Sequence, residues 1–112
     1  MAGKLQARGR FWLTLDGTNF LGCGRVELLQ RIADTGSISK AAQAMKMSYK
    51  AAWDAVDAMN NTWGALLVES SPGGSVLTAD AKRLMATFIQ AETQYRVFMT
   101  ELTETLADEY IR

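Results

Sequence analysis

Gly36-Ser37-Ile38-Ser39-Lys40-Ala41-Ala42-Gln43-Ala44-Met45-Lys46-Met47-Ser48-Tyr49-Lys50-Ala51-Ala52-Trp53 decides the fold. The stretch reads as two short helices joined by a tight turn. Ser39 is placed to cap the first helix, because a serine oxygen accepts from an orphan N–H of the first turn. Ala41 and Ala42 are small enough for a second helix to cross close by. Met45 and Met47 straddle the turn as apolar anchors, and Ser48 caps a second helix running on through Val56 and Met59. This is the layout of a helix-turn-helix, whose second helix normally lies in the DNA major groove.

Working outward, Arg25 to Thr35 forms a helix with Val26, Leu29, Ile32 and Ala33 at helical spacing and Leu28 widening the stripe. Gly36 stops it, since glycine tolerates the left-handed conformation. Before it, Arg10-Phe11-Trp12-Leu13-Thr14-Leu15 is strand-like and Asp16-Gly17 signals a turn. Phe20 and Leu21 lead into Gly22-Cys23-Gly24, a small-residue approach to the helix. Cys23 lacks an evident base in a chain without histidine and is expected as buried filler.

After the second helix, Asn60-Asn61 is a natural end and Trp63-Gly64-Ala65 a connector. Leu66 to Ser70 and Ser75 to Thr78 read as strands around the turn Ser71-Pro72-Gly73-Gly74. A hairpin in that place is a wing. Thr78 caps a last helix of nearly thirty residues, about 45 Å long at 1.5 Å per residue. Its seam, Ala81, Met85, Phe88, Glu92, Tyr95, Met99, Leu102 and Leu106, alternates fours and threes. A helix that long exceeds the needs of so small a core, and a second copy of the chain is the expected partner, through Met85, Phe88, Tyr95, Met99, Leu102 and Leu106. Folding back onto the N-terminal strand and helix is the alternative.

The expected architecture is therefore mainly α with a small β-hairpin: one winged helix-turn-helix domain over 1–112. A flexible basic arm takes 1–9, the strand, helix-turn-helix and wing take 10–78, and the dimerisation helix takes 79–108. The 112 residues suffice for one core and not two. An apolar fraction of 48% argues against disorder. No run of about 18 apolar residues spans a membrane. The N-terminus lacks a signal-peptide core, and a single cysteine fits a reducing cytoplasm.

Net charge is zero, yet its distribution is uneven. Lys4, Arg8 and Arg10 meet no acid in the first ten residues, and Lys40, Lys46 and Lys50 are the only charges between Asp34 and Asp54. The acids Glu92, Glu101, Glu104, Asp108 and Glu109 gather late. Three lysines alone would also suit an ordinary solvated face. The candidate DNA contacts are Ser37, Ser39, Lys40 and Lys46 around the first helix and turn, Ser48, Tyr49, Lys50, Trp53 and Asp54 on the second helix, and Gly73 and Gly74 in the wing. Lys50 suits guanine acceptors or a phosphate, and Tyr49 and Ser48 suit phosphates or base edges. Trp53 is open between a backbone or thymine-methyl contact and a lid packed on the lysine stem or the wing. Asp54 repels phosphate unless it accepts from cytosine N4 or orients Lys50 by an i, i+4 contact. The Gly73-Gly74 pair lacks the strand-loop-helix and following lysine of a phosphate loop.

Gly24-Arg25-Val26-Glu27-Leu28-Leu29, Gly36-Ser37-Ile38-Ser39, Met47-Ser48-Tyr49-Lys50-Ala51-Ala52-Trp53-Asp54-Ala55, Met59-Asn60 and Val76-Leu77-Thr78 together resemble the N-terminal DNA-binding domain of ModE-type molybdate-responsive transcriptional regulators, a winged helix-turn-helix of the broader LysR kind. Ser48 to Asp54 is the specific part; the other pieces are shared with LysR-type proteins. The resemblance runs from about Arg10 to the final helix. It implies a dimeric regulator that binds double-stranded DNA and dimerises partly through the helix after the wing. The family's sensors carry molybdate-binding domains C-terminal to this region, so no molybdate site falls within these residues, and no cofactor or metal is expected. Unlike the family's longer, glycine-rich, basic wing, Glu69 to Ser75 is short and has no cation, and Lys46 stands at a turn position often held by glycine. Those departures keep a second reading open, a winged-helix interaction protein that pairs with other regulators. An enzyme is not expected without histidine or a convergent carboxylate pair.

Overall fold

In the computed structural model, which describes residues 3–110, the backbone divides into two units, Trp12–Phe88 and residues 3–11 with the helix from Ile89 onward. The element order is β1 (Leu13–Leu15), β2 (Thr18–Leu21), α1 (Cys23–Thr35), α2 (Ile38–Ala44), α3 (Tyr49–Trp63), β3 (Val68–Ser71), β4 (Gly74–Leu77) and α4 (Ala79–Tyr110). The mainly α winged helix-turn-helix architecture read from the sequence is present. A second two-stranded sheet joins the wing hairpin.

That extra sheet corrects the N-terminal reading. The strand covers only Leu13–Leu15, and Phe20 and Leu21, for which no strand was expected, belong to its antiparallel partner β2. Asp16 (φ 50°) and Gly17 (φ 79°) make the turn between them. Two successive left-handed residues match the twist of a two-residue hairpin, which is why Asp-Gly is found there.

α1 buries Val26, Leu28, Leu29 and Ile32, while Ala33, expected on the same stripe, is exposed. Gly36 ends the helix in the left-handed region at φ 70°, its N–H bonded to the Ile32 carbonyl at 2.8 Å. Ser37, not Ser39, caps α2: its hydroxyl accepts from the Lys40 N–H at 3.1 Å. Ile38 decides this register, because it must be buried as the first helical residue and so leaves Ser37 outside the helix. Cys23, expected in the core, begins α1 and is exposed.

Ala41 and Ala42 on α2 and Ala52, Val56 and Met59 on α3 are buried, so the two helices meet over small residues as anticipated. The turn between them is a left-handed C-cap. The Met47 N–H bonds the Ala42 carbonyl at 3.0 Å and the Lys46 N–H bonds the Gln43 carbonyl at 3.1 Å, with Lys46 at φ 56°. That pair of bonds is the Schellman pattern, whose pivotal residue is normally glycine.

α3 extends past Asn60-Asn61 to Trp63, and Gly64 at φ 84° stops it. Asn60 is no terminator: its Oδ1 accepts from the Leu67 N–H at 2.8 Å and ties the helix to the strand that follows. Trp63, expected in a connector, stacks on Phe20 with centroids 5.7 Å apart and donates to Asp80 Oδ2 at 3.1 Å. Phe20, Leu21, Leu28, Leu29, Ile32, Val56, Met59, Leu67, Ala81 and Phe88 complete one core.

α4 is a single helix of 32 residues, about 48 Å long, and Thr78 Oγ1 caps it by accepting from the Ala81 N–H. Phe88 is 1% exposed in the chain's own core, so it is removed from the dimerisation seam. In the other unit, residues 3–11 hold to the far half of α4. Ala7 N–H donates to Thr103 Oγ1 at 2.9 Å, and Phe11 lies 5.9 Å from the Tyr95 ring. Gly9 passes so close to Tyr95 that a Cβ would overlap its hydroxyl. The stretch expected as a flexible arm therefore supplies cover, within the chain, for a seam expected to need an outside partner.

Candidate nucleic-acid interface

The unit Trp12–Phe88 contains every residue singled out as a DNA contact. Two of these residues cap helices. Ser37 begins α2, and Ser48 begins α3 by accepting from the Ala51 N–H at 3.0 Å. Each hydroxyl keeps its own proton for a further acceptor, which is the requirement for a phosphate contact beside a helix N-terminus. Ser39 and Lys40 are exposed in the first turn of α2, and Lys46 is exposed on the turn.

The outer face of α3 carries two side-chain pairs, each spaced i, i+4. Tyr49, 54% exposed, meets Trp53, 37% exposed, edge to face with centroids 6.3 Å apart. Trp53 thus forms an aromatic pair with Tyr49 on the exposed side of the helix. Lys50 Nζ donates to Asp54 Oδ2 at 2.9 Å. The hydrogen bond to Asp54, reinforced by that carboxylate's charge, holds the Lys50 ammonium above its ordinary value of 10.5. Lys50 is therefore a cation throughout the neutral range. Among the described residues it is the one of Lys40, Lys46 and Lys50 that sits in an ion pair.

The wing is braced on the helix-turn-helix. Ser75 N–H donates to the Gly36 carbonyl at 2.9 Å, and a Cβ on Gly74 (φ 132°) would lie 2.7 Å from that same oxygen. Gly74 is thus a close-approach residue, half-buried, whereas Gly73 at the tip is exposed. Ser70 and Ser75 hydroxyls share a hydrogen bond of 2.9 Å across the hairpin. The sequence reading missed this brace. Its donor and acceptor are both backbone, and only the Gly-Gly pair hinted at tight packing.

Among the described residues no group of three His, Cys, Asp or Glu side chains is placed to hold a metal. No helix there is long and apolar enough to cross a membrane.

Residues 24–82 match the profile of bacterial regulatory helix-turn-helix proteins of the lysR family. The chain belongs to this family. Within it, similarity points to ModE-type proteins. The Rhodobacter capsulatus molybdenum-pterin-binding protein MopB is 41% identical over 91 residues, 77% of this chain and 34% of the relative. The Azotobacter vinelandii molybdenum transport protein ModE is 37% identical over 102 residues, 87% of this chain and 38% of its own. The Escherichia coli K12 DNA-binding transcriptional dual regulator ModE is 37% identical over 100 residues, 84% and 38%. The chain thus spans little more than a third of the length of these relatives.

Solved structures agree on the fold. The BenM DNA-binding domain in complex with benA site 1 DNA superposes with a TM-score of 0.62 at 14% identity, covering 78% of this chain and all of that one. The CbnR DNA-binding domain, also in a DNA complex, gives 0.52 at 21% identity, covering 69% and 97%. The lysR-family match begins at residue 24, inside α1, and ends within the first turn of α4.

Proposed function

We propose that this lysR-family chain is a DNA-binding transcriptional regulator that places α3 in the major groove of double-stranded DNA. The observation that carries the reading is the exposed start of α3. Ser48, Tyr49, Lys50 and Trp53 are all exposed there while Ala52, Val56 and Met59 are buried, and the turn before them presents Lys46. Ser37, Ser39, Lys40 and Lys46 are assigned phosphate contacts and Gly73 a backbone contact at the wing tip. The first two sit at a helix start, and the cations answer the charge that dominates duplex affinity. The similarity to an E. coli relative named a DNA-binding transcriptional dual regulator, and to domains crystallised on DNA, supports the same role.

Binding is assigned to a homodimer acting in the cytoplasm, with two α3 helices about one helical turn, roughly 34 Å, apart. Its seam is assigned to Met85, Tyr95, Met99, Leu102 and Leu106 on α4, where residues 3–11 leave Tyr95 and Met99 only half-buried. Phe98, 58% exposed, widens the apolar surface beside it. No enzymatic role, cofactor or molybdate site is assigned to these residues.

Genome-wide binding-site selection with the purified chain tests the reading, since it reports binding, operator symmetry and half-site spacing together. Absence of a mobility shift on any genomic fragment at low salt refutes it, and a monomer mass by light scattering at micromolar concentration refutes the dimer. The competing role, an interaction protein pairing with other regulators, draws on one feature: the wing from Glu69 to Ser75 carries an acid and no cation. Loss of DNA binding with retained association to a full-length relative would establish it.

A further inference from the structure

Asp54 is out of place on a surface that merely tracks phosphates. It stands one turn into α3 on the exposed face, repels a phosphate backbone, and engages Lys50, the first cation of the helix. Nothing in the fold needs it. Its side chain is 66% exposed, Lys50 is 84% exposed, and a solvated i, i+4 pair of this kind adds little to stability.

The chemistry of the major groove gives the pair a use. A G·C base pair presents two adjacent acceptors, guanine N7 and O6, followed by one donor, cytosine N4. An ammonium has three donors. With one held by Asp54 Oδ2 at 2.9 Å, two remain for N7 and O6, and the second carboxylate oxygen is left for the N4 donor. An A·T pair offers acceptor, donor, acceptor and then a methyl group. The same unit would there meet the adenine N6 donor with a lysine N–H and the thymine O4 acceptor with its carboxylate, so that one lysine bond and the carboxylate bond are both lost.

We propose that Lys50 and Asp54 act as one unit reading a single G·C base pair in each half-site, Lys50 on guanine and Asp54 on cytosine. Asp54 is the specificity determinant: it withholds Lys50 from phosphates and releases no binding energy where the base pair does not match. The inference rests on α3 entering the major groove. It adds which base pair is read and why an acid stands there.

The test uses the full chain, its selected operator, the same operator with each base pair replaced in turn, and a random-sequence duplex of equal length. Wild-type protein, Asp54→Asn and Lys50→Ala are titrated on each over a salt series. The wild type should favour one G·C pair per half-site over A·T by roughly five- to a hundredfold. Asp54→Asn should lose most of that preference at that position alone. It should also bind the random duplex more tightly, with a salt slope steeper by about one per subunit as Lys50 turns to a phosphate. Lys50→Ala should lose the preference at the same position without the gain on random duplex. Operator binding by the wild type with an unchanged base preference in Asp54→Asn overturns the inference and leaves the DNA-reading role standing. No duplex binding by the wild type overturns both. Melting temperatures of the two variants close to that of the wild type confirm that the readout is recognition and not folding.

Discussion

Replacing Lys46 separates the backbone role of this residue from its charge. Lys46 occupies the left-handed region at φ 56° as the pivot of the α2–α3 turn, a conformation that costs a non-glycine residue about 1–2 kcal/mol. The side chain is exposed, so removing it loses little packing. Lys46→Gly lifts the steric penalty, while the extra freedom of glycine in the unfolded chain takes back part of the gain. The net expectation is a stabilisation of about 1 kcal/mol, near 4 °C in melting temperature for a domain of this size. Lys46→Ala removes the same charge but keeps the strained Cβ, so its stability should stay within about 0.5 kcal/mol of wild type.

On DNA the two variants should behave alike. Each deletes one phosphate contact per subunit, which lowers the slope of log affinity against log salt by about 0.9 per subunit. Calorimetry or thermal melting reads the first effect and fluorescence anisotropy over a salt series reads the second. A glycine variant no more stable than the alanine variant would refute the turn argument. An unchanged slope in both would remove Lys46 from the interface.

Gly74→Ala should destabilise by about 2 kcal/mol or more, through a strained φ of 132° and a Cβ 2.7 Å from the Gly36 oxygen, whereas Gly73→Ala, whose Cβ meets only Ser71 Oγ at 3.8 Å, should change little; equal urea midpoints would contradict this. Met59→Ala should lose about 2–5 kcal/mol, because a fully buried α3 side chain is replaced by a cavity, and chemical denaturation would show it. Asp54→Asn should make a small stability difference that is constant from neutral pH up to about 10.5 and disappears above it. The raised Lys50 value means that the pair's contribution is complete below 10.5 and is lost as pH climbs through the folded-state value; a difference that grows with alkalinity would be the wrong sign.

What the sequence disclosed, and what it hid, follows the range of the interactions. α1 was legible because Val26, Leu29 and Ile32 repeat at helical spacing, and Gly36 was legible as its stop because the left-handed cap is a local event. Ser37 and Ser39 are equivalent as capping residues, and only the burial of Ile38 chooses between them. Asn60-Asn61 has the composition of a helix end, yet Asn60 spends its side chain on Leu67 N–H and the helix continues to Trp63. β2 was hidden by its polar start, Thr18-Asn19, which breaks the apolar alternation of a strand. The N-terminal residues look free by composition because their partner is remote in sequence: Ala7 bonds Thr103, 96 positions away. In the candidate interface, the reading end Ser48 to Asp54 was legible as residue types at helical spacing. The Lys50–Asp54 contact that couples two of them was one of two roles open to Asp54, and geometry was needed to show that it forms.

The brace at Gly36 changes what the wing is for. One glycine ends α1 through its own N–H, bonded to Ile32, and receives the wing through its carbonyl, bonded to Ser75. The next residue, Ser37, caps α2, which starts at Ile38. A single backbone position therefore fixes where the helix-turn-helix begins and where the hairpin lies against it. A wing held this way needs no cation to be useful, because it limits how α1 and α2 can tilt and so keeps the exposed face of α3 in register. The bare sequence from Glu69 to Ser75 argues against a wing that grips DNA by charge. On the proposed reading, affinity for DNA would rest with Lys40, Lys46 and the α3 pairs. If the wing works as a brace, Gly74→Ala should weaken operator binding and stability together, with the salt slope retained. A wing that gripped phosphates would instead lose slope when altered at its tip.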